Sequence, residues 1–247
     1  YGNPSSTHSF GRTSKNILET SRKSIAKQIN ATAQEIIFTS GGTEANNWIL
    51  RSAVEDLKIK RIITSKIEHH AVLHTVLALQ SDYQIQVDYV KLKANGEVDI
   101  NHLVELLSED IPTLVSLMHV NNEIGTVLDL EKVGRLSKQY KALFHSDTVQ
   151  SIGKTEIDLQ KIGVHFIVAS AHKFHGPKGI GFAFIRRNSG LQPLLFGGEQ
   201  EKGLRAGTES IHNIAGMAKA LELSYENLEA EIKHISDLKS YFVSQLQ

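Results

Sequence analysis

The feature that most constrains how this sequence folds is a repeated alternation of short apolar runs with longer amphipathic segments. Seven runs are rich in the β-branched and aromatic residues typical of strands, and they cover residues 36–39, 61–64, 86–92, 113–120, 142–144, 166–169 and 181–185. Helical periodicity lies between them, over about residues 13–28, 43–54, 70–80, 100–107 and 130–140. Strands that alternate with helices are joined by crossover connections, so we predict an α/β fold with a mainly parallel sheet.

The last part of the sequence is a long amphipathic segment. Its apolar residues recur at spacings of mostly three or four between Ile211 and Phe242, which predicts a long helix. We therefore expect a large domain over residues 1–210, followed by a long helix over residues 211–247 that leads to a further, C-terminal domain.

The composition argues against several classes of function. Of the 247 residues, 27 are Lys or Arg and 27 are Asp or Glu, so the zero net charge predicts no binding to nucleic acid or to an acidic membrane. No apolar run has the length of a transmembrane helix, and residues 1–6 do not resemble a signal peptide, so we expect a cytoplasmic protein. The absence of cysteine excludes disulfides, zinc–thiolate sites and a cysteine nucleophile within this sequence.

Polar clusters follow five of the predicted strands. They lie at residues 40–43, 68–69, 121–123, 147–150 and 170–173. The carboxyl ends of parallel strands lie at one edge of a sheet, and ligands of open α/β sheets bind at that edge. The clusters therefore predict one ligand site formed by residues that are distant in the sequence.

The first cluster, Ser40-Gly41-Gly42-Thr43, has the form of a glycine turn between a strand and a helix. Glycines allow close approach of the backbone to an anion, and the helix N-terminus supplies free N–H groups, so a phosphate fits here. The Gly-Lys-Ser/Thr ending of a Walker loop is missing. An ordinary strand–helix turn explains the same residues about equally well.

The cluster at residues 170–173 contains a lysine directly after a buried strand. A lysine in such a place can lose its proton by desolvation and form a Schiff base with an aldehyde, which makes Lys173 a candidate catalytic residue. Ser170 and His172 are additional candidate phosphate donors. The competing interpretations are that Lys173 is an ordinary surface charge, or that Lys178 is the functional amine.

Three further clusters supply groups suited to a flat heterocyclic ring. Asp147 could keep a ring nitrogen protonated and Gln150 could bond a ring oxygen, although Asp147 also fits a helix N-cap. The imidazole of His69 could stack on a ring or move protons. Asn122 lies in a polar loop after the most apolar strand and could contact the ring oxygen or a carboxylate.

Two other features have competing explanations. His70 and His74 are spaced as metal ligands on one helix face, but no third ligand is evident nearby, so we predict no metal site. The glycine-rich segment over residues 197–209 is either a mobile surface loop or an anion contact that reaches a neighbouring subunit.

Taken in order, these residues resemble the motifs of the NifS/IscS-like cysteine desulfurases, a branch of the class V aminotransferases that use pyridoxal 5′-phosphate (PLP). The resemblance runs along nearly the whole chain and separates this branch from other class V enzymes. The matching strings are Tyr1-Gly2-Asn3-Pro4-Ser5-Ser6-Thr7-His8, Thr39-Ser40-Gly41-Gly42-Thr43-Glu44, Glu68-His69-His70-Ala71-Val72, His119-Val120-Asn121-Asn122-Glu123-Ile124-Gly125, His145-Ser146-Asp147-Thr148-Val149-Gln150, the lysine segment and Arg205-Ala206-Gly207-Thr208.

The resemblance implies a three-layer α/β/α large domain of a PLP-dependent transferase and a role for each matching residue. Lys173 would hold the cofactor covalently, His69 would stack on its ring, and Asp147 would pair with the ring nitrogen. Contacts to the ring oxygen would come from Gln150 and Asn122, and contacts to the phosphate from Gly42, Thr43, Ser170 and His172. Thr208 would reach the phosphate bound by a partner subunit, which implies a homodimer.

The implied reaction converts L-cysteine to L-alanine and passes the sulfur, as a persulfide, to an acceptor protein that serves iron–sulfur cluster assembly or tRNA thiolation. The sequence departs from the family here, because the family's catalytic cysteine and its substrate-binding arginine lie in a C-terminal domain, and a short segment is also expected before Tyr1. We therefore expect a fragment with little or no turnover. The alternatives are another class V aminotransferase, epimerase or lyase, and a non-enzymatic dimerisation or assembly module.

Overall fold

Seven strands form a single mixed sheet in a computed structural model that describes residues 2–246, which leaves Tyr1 of the opening motif outside the described part. The strands are β1 (Ile36–Thr39), β2 (Arg61–Thr64), β3 (Gln86–Tyr89), β4 (Thr113–Ser116), β5 (Leu143–Asp147), β6 (Phe166–Ser170) and β7 (Gly181–Ile185). Their order across the sheet is β1-β7-β6-β5-β4-β2-β3. Only β7 runs against its neighbours, β1 and β6, so the predicted mainly parallel sheet is confirmed.

Seven helices lie within the described residues, and the first six of them in chain order cover the two faces of the sheet. The helices are α1 (Ser9–Gln28), α2 (Gly42–Glu55), α3 (His70–Tyr83), α4 (Ile100–Leu107), α5 (Leu130–Gln139), α6 (Ile211–Glu226) and α7 (Leu228–Leu246). One apolar core contains buried residues of α1, α4, α5 and α6, and a second contains those of α2 and α3. The fold is therefore the expected three-layer α/β/α arrangement.

The strands supply alternate residues to the two cores, as the pleat of a sheet requires. In β6, Ile167 belongs to the core beneath α1 and Val168 to the core beneath α2. Both faces of the central strands are consequently apolar, which explains why their sequences are nearly continuous hydrophobic runs. Polar residues begin where each strand leaves the core, and this places them at the carboxyl edge of the sheet.

Two predicted strands are longer than the observed ones. The run over residues 113–120 is hydrogen-bonded as a strand only through Ser116, although the backbone N–H groups of Leu117 and His119 still donate to β5. The run over residues 86–92 ends at Tyr89, because the chain then turns at residues 95–96 and Leu92 pairs with Val98 instead.

The prediction of a single long helix from residue 211 onwards is wrong. The segment forms α6 and α7, which are separated at Asn227, where φ is −102° and ψ is 2°. Ile214, Met217 and Leu221 of α6 lie in the same core as α1, whereas most of α7 is exposed. The two helices therefore have different environments, although the domain boundary at residue 211 stays a prediction.

Candidate active site

A cavity of about 300 Å³ lies at the carboxyl edge of the sheet. Nine of the ten predicted site residues line it, and Thr208 is the exception. The complete lining is Gly42, Thr43, Asn46, His69, Met118, Asn122, Asp147, Val149, Gln150, Ser170, His172 and Lys173. The fold thus brings together the five polar clusters that follow separate strands, and the volume suits a small organic cofactor.

The turn between β1 and α2 forms one end of the cavity. Gly41 has φ of 153° and ψ of −174°, a conformation that only glycine adopts readily. A Cβ on Gly42 would lie 2.7 Å from Val149 Cγ2, so a side chain there would collide with the cavity wall. No side chain within the described residues caps α2, which leaves the N–H groups of its first turn free for an anion.

Ser170 and His172 face the same cavity from the end of β6. Ser170 Oγ and His172 Nδ1 lie 3.0 Å apart, within hydrogen-bonding distance. Burial lowers the pKa of His172, and the positive charges of Lys173 and Lys178 lower it further. A neutral imidazole and a hydroxyl therefore add two hydrogen-bonding groups to the glycine turn.

Lys173 lies in a short 3₁₀ helix, Ala171–Phe174, that follows β6 directly. Phe174 is 1% exposed and anchors this helix in the core, whereas Lys173 is half-buried and lines the cavity. The competing lysine, Lys178, is exposed and is not part of the cavity lining. The geometry therefore favours Lys173 over Lys178 as the amine available to a ligand.

Asp147 is buried at the end of β5 and lines the same cavity. Its Oδ2 accepts a hydrogen bond from Asn46 Nδ2 at 2.8 Å, and its Oδ1 accepts one from the backbone N–H of Val149 at 2.9 Å. Burial raises the pKa of Asp147, while these two hydrogen bonds and the nearby His69 act in the opposite direction. The helix-cap interpretation is wrong, because turns rather than a helix follow Asp147.

His69 has a structural function as well as a position in the cavity. It is the N-cap of α3, and its Nδ1 accepts a hydrogen bond from the backbone N–H of Ala71 at 3.1 Å. An accepting Nδ1 places the proton of the neutral ring on Nε2. This contact defines the tautomer of the neutral ring, and it restrains the direction in which the imidazole points.

The amides of Gln150 and Asn122 already have neighbours that fix their orientation. Gln150 Oε1 accepts a hydrogen bond from Lys154 Nζ at 3.3 Å, which leaves its amide N–H groups available to a ligand oxygen. Asn122 Nδ2 donates to Glu123 Oε1 at 2.7 Å, which leaves its second N–H available to donate and its Oδ1 available to accept. Burial lowers the pKa of Lys154, and the charge of Lys173 lowers it further.

Thr208 is exposed and lies outside the cavity, on a loop that is firmly held. Arg205 on this loop donates to both carboxylate oxygens of Glu44, at 2.8 and 3.1 Å, and Glu44 also accepts from the backbone N–H of Ser40. Burial alone would raise the pKa of Glu44, but the hydrogen bonds from Arg205 and Ser40 outweigh it and the pKa is lowered. An ion pair therefore connects the loop of Thr208 to the glycine turn.

A second, buried ion pair holds the same loop to the core. Arg22 of α1 donates to the two oxygens of Glu201 at 2.7 and 2.8 Å, and each side chain is 2% exposed. Glu201 Oε2 also accepts from the backbone N–H of Phe38 in β1. These contacts argue against a mobile loop between residues 200 and 206.

No role in the site was predicted from the sequence for several residues that lie in or beside the cavity. Asn46 follows Gly42 by one helical turn and so lies on the same face of α2, a spacing that could have identified it. Met118 lies in a predicted strand and gives no comparable signal. Glu68 is buried beside the cavity, and burial raises its pKa to about 8.

The pair His70 and His74 is not part of a larger ligand set. Their ring centroids are 4.9 Å apart, but among residues 2–246 no group of three or more His, Cys, Asp or Glu side chains could hold a metal ion.

Within the same residues no helix is long and apolar enough to cross a membrane.

Comparison with known proteins identifies the family of this site. The sequence profile described as "Aminotransferase class-V" matches residues 1–247. The chain belongs to the class-V aminotransferase family. Enzymes of this family depend on PLP, and the cavity of this class-V chain offers groups for each part of that cofactor: an anion site, a buried carboxylate for the ring nitrogen, an imidazole for the ring face and an amine for the aldehyde. The residues present therefore fit PLP.

Two curated proteins similar to this class-V chain are named as cysteine desulfurases. The chain is 42% identical to "Cysteine desulfurase IscS" of Dictyoglomus turgidum and 40% identical to the protein of the same name from Methanosarcina thermophila, with all of the chain covered in both cases. A solved structure described as "NifS-like protein" matches the whole chain with a TM-score of 0.95 and 42% identity, and the chain covers 68% of it. The chain spans 63% and 61% of the two curated relatives.

Proposed function

We propose that the chain is the PLP-binding part of a cysteine desulfurase, which converts L-cysteine to L-alanine and passes the sulfur to an acceptor protein. The observation that carries the proposal is the meeting of Lys173 and Asp147 in one cavity beside a helix N-terminus. The similarity over the whole chain to proteins named cysteine desulfurase supports this activity over others of the class-V family.

Each of the nine predicted residues that line the cavity has a part in the proposed reaction. The N-terminal turn of α2 with Thr43, Ser170 and His172 binds the cofactor phosphate, and His69 lies on the face of the ring. Asp147 holds a proton at the ring nitrogen, while Gln150 and Asn122 bond the ring oxygen. Bound PLP supplies an electron-withdrawing ring that stabilises negative charge on the substrate carbon. Lys173 would hold the cofactor through its aldehyde, and its amine could move protons at the substrate carbon.

The sulfur-accepting step needs a thiolate that residues 1–247 do not contain, because the sequence has no cysteine. We propose that a cysteine outside this sequence takes the sulfur, so that this chain alone binds the cofactor but turns over little or no L-cysteine. Iron–sulfur cluster assembly or tRNA thiolation would use the sulfur. We also propose a homodimer in which Thr208 contacts the phosphate of the partner subunit, and a cytoplasmic location stays a prediction.

Covalent labelling of the lysine tests the proposal. PLP added to the purified chain is expected to give a yellow complex, and borohydride is expected to fix the cofactor to the peptide that contains Lys173. The Lys173→Ala variant should show no fixed cofactor at this site. Lys178→Ala is the matched control, since Lys178 is exposed and outside the cavity, and it should label as the unchanged chain does.

Three results would contradict the proposal. Fixation of the cofactor at another lysine would show that the cavity is not the cofactor site. A failure of the chain and of the Lys178→Ala variant to bind PLP at all would favour the non-enzymatic assembly module. A full-length protein that fixes PLP at Lys173 but releases no alanine from L-cysteine would favour another class-V reaction.

A further inference from the structure

Two segments that lie beside the cavity are joined to each other by a buried carboxyl group. Residues 65–69 carry His69, and residues 118–122 carry Asn122. Glu68 Oε1 accepts a hydrogen bond from Ser65 Oγ at 2.8 Å and another from the backbone N–H of Met118 at 3.0 Å. One oxygen atom therefore closes the first segment on itself and connects it to the second.

A neighbouring side chain makes a second connection between the same segments. Asn121 Nδ2 donates to the backbone carbonyl of Ile67 at 2.7 Å. Its Oδ1 accepts from the backbone N–H groups of Glu123 and Ile124, at 2.9 and 3.0 Å. Glu68 and Asn121 thus form a cross-connection, and both lie next in sequence to a residue that lines the cavity.

The environment of Glu68 is unusual for an acid whose only purpose is to stabilise the fold. The residue is 6% exposed, and within the described part of the chain its Oε2 has no hydrogen-bond partner. Burial of an unpaired charge is unfavourable, so burial raises the pKa of Glu68 to about 8, and the nearby Asp147 raises it too. A protonated Glu68 places no second negative charge beside Asp147.

We propose that Glu68 is a positioning residue, which fixes His69 and Asn122 relative to each other through Ser65 and Met118. The inference rests on the proposed cofactor site, because it requires that His69 contacts the bound ring. Glu68 itself touches neither cofactor nor substrate in this proposal. Its effect is to keep the imidazole in one orientation, which makes cofactor binding stronger and the bound ring more rigid.

The test compares three variants of the full-length protein with a matched control. Glu68→Ala removes both hydrogen bonds, and Ser65→Ala removes one of them. Glu68→Gln keeps an oxygen that can accept both. The control is Glu35→Gln, a change at another buried carboxyl that accepts from Thr32 at 2.8 and 3.0 Å but lies at the amino end of β1, away from the cavity.

The measurements are the dissociation constant of PLP and the visible circular dichroism that the protein induces in the bound cofactor. We expect Glu68→Ala to weaken PLP binding by about 10-fold and to reduce the induced signal, since each of the two lost hydrogen bonds is worth roughly a factor of 3. Ser65→Ala should show about half of this effect on a logarithmic scale. Glu68→Gln should restore both quantities to within about 2-fold, and Glu35→Gln should leave them unchanged.

A purely structural role predicts a different result. Glu68→Ala would then lower the melting temperature but leave the PLP affinity and the induced signal of the folded protein unchanged, which would overturn the proposal. If Glu68→Ala does not fold, Ser65→Ala decides in the same way. Borohydride fixation at Lys173, measured in parallel, separates this outcome from failure of the proposed function, since that failure would abolish fixation in the unchanged protein.

Discussion

At the scale of single residues, two buried acids lie near the cavity in different surroundings. Burial raises the pKa of both Glu68 and Asp147. Asp147 also has Asn46 and His69 beside it, and both favour its charged form, whereas Glu68 has only neutral donors. The surroundings of Asp147 therefore favour a negative charge at the position proposed to face the ring nitrogen more than those of Glu68 do.

The shifted acid predicts how stability changes with pH. The pKa of Glu68 is about 8 in the folded chain against an unfolded value of 4.5, so the folded state holds this proton more tightly. Its contribution to stability is complete below pH 4.5 and is lost as the pH rises through 8. The loss amounts to a few kcal/mol, since one pKa unit corresponds to about 1.4 kcal/mol.

We expect Glu68→Gln to remove this part of the pH dependence. Urea unfolding of the unchanged protein and the variant at pH 5.5 and pH 8.5, without added PLP, measures it. The difference in unfolding free energy between the two pH values should be smaller in the variant by a few kcal/mol. Equal differences in the two proteins would show that Glu68 does not titrate as described.

At the scale of elements, the loop over residues 200–206 depends on the buried pair Arg22–Glu201. We predict that Glu201→Gln lowers the unfolding free energy by about 3–5 kcal/mol, because Arg22 is then left buried with only the partly exposed Glu19, at 3.3 Å, as a carboxylate partner. Urea denaturation measures the change. Glu199→Gln is the matched control, since Glu199 lies two residues away and is exposed, and it should change stability by less than about 0.5 kcal/mol.

Equal midpoints for Glu201→Gln and Glu199→Gln would mean that the pair contributes nothing to stability. The double variant Arg22→Met with Glu201→Leu should recover much of the lost stability, because a buried pair can be replaced by apolar side chains of similar size.

Elements with a clear period were predictable from the sequence. The strands β1, β2 and β7 have the bounds that their apolar runs indicate, because those runs are bounded by polar or turn residues. The division between α6 and α7 was not predicted, since the apolar spacing continues through it and neither Gly nor Pro is present at Asn227. The only local sign is that Asn favours helix ends. Here its Nδ2 donates to the carbonyl of Leu223 at 2.9 Å.

The candidate site was predictable to the extent that it is local. Polar residues directly after apolar strands identified nine residues that line the cavity. The contacts that hold the site together were not predictable, because they join residues that no sequence pattern relates. Glu68 meets Met118 at a separation of 50 residues, and Arg22 meets Glu201 at a separation of 179.

At the scale of the whole molecule, the exposed apolar side chains concentrate on α7. Those on this helix are Ile232, Ile235, Leu238, Tyr241, Phe242, Val243 and Leu246. An apolar surface of this kind is typical of a contact with further protein. The chain also spans less than two thirds of the curated relatives described above. Both observations agree with the expectation that residues 211–247 lead to a C-terminal domain, which stays a prediction.

The proposed homodimer makes a prediction at the same scale. If Thr208 donates to the phosphate bound by the partner subunit, Thr208→Ala should weaken PLP binding by about 10-fold, as expected for a hydrogen bond to a charged group. Light scattering should still show a dimer. Ser210→Ala is the control, because Ser210 lies two residues away and its side chain caps no helix. Unchanged PLP affinity in Thr208→Ala would remove this residue from the site.

His69 caps the N-terminus of α3 and also lines the cavity, and these two functions limit which residues evolution or a protein engineer can substitute there. Phenylalanine or tryptophan offers a larger face for a flat ligand but has no atom that accepts from the Ala71 N–H, while asparagine or serine would cap the helix and offer no ring. Of the common side chains, imidazole alone satisfies both requirements. A gain in ring contact at this position would therefore be accompanied by fraying of α3, roughly 1 kcal/mol of helix stability.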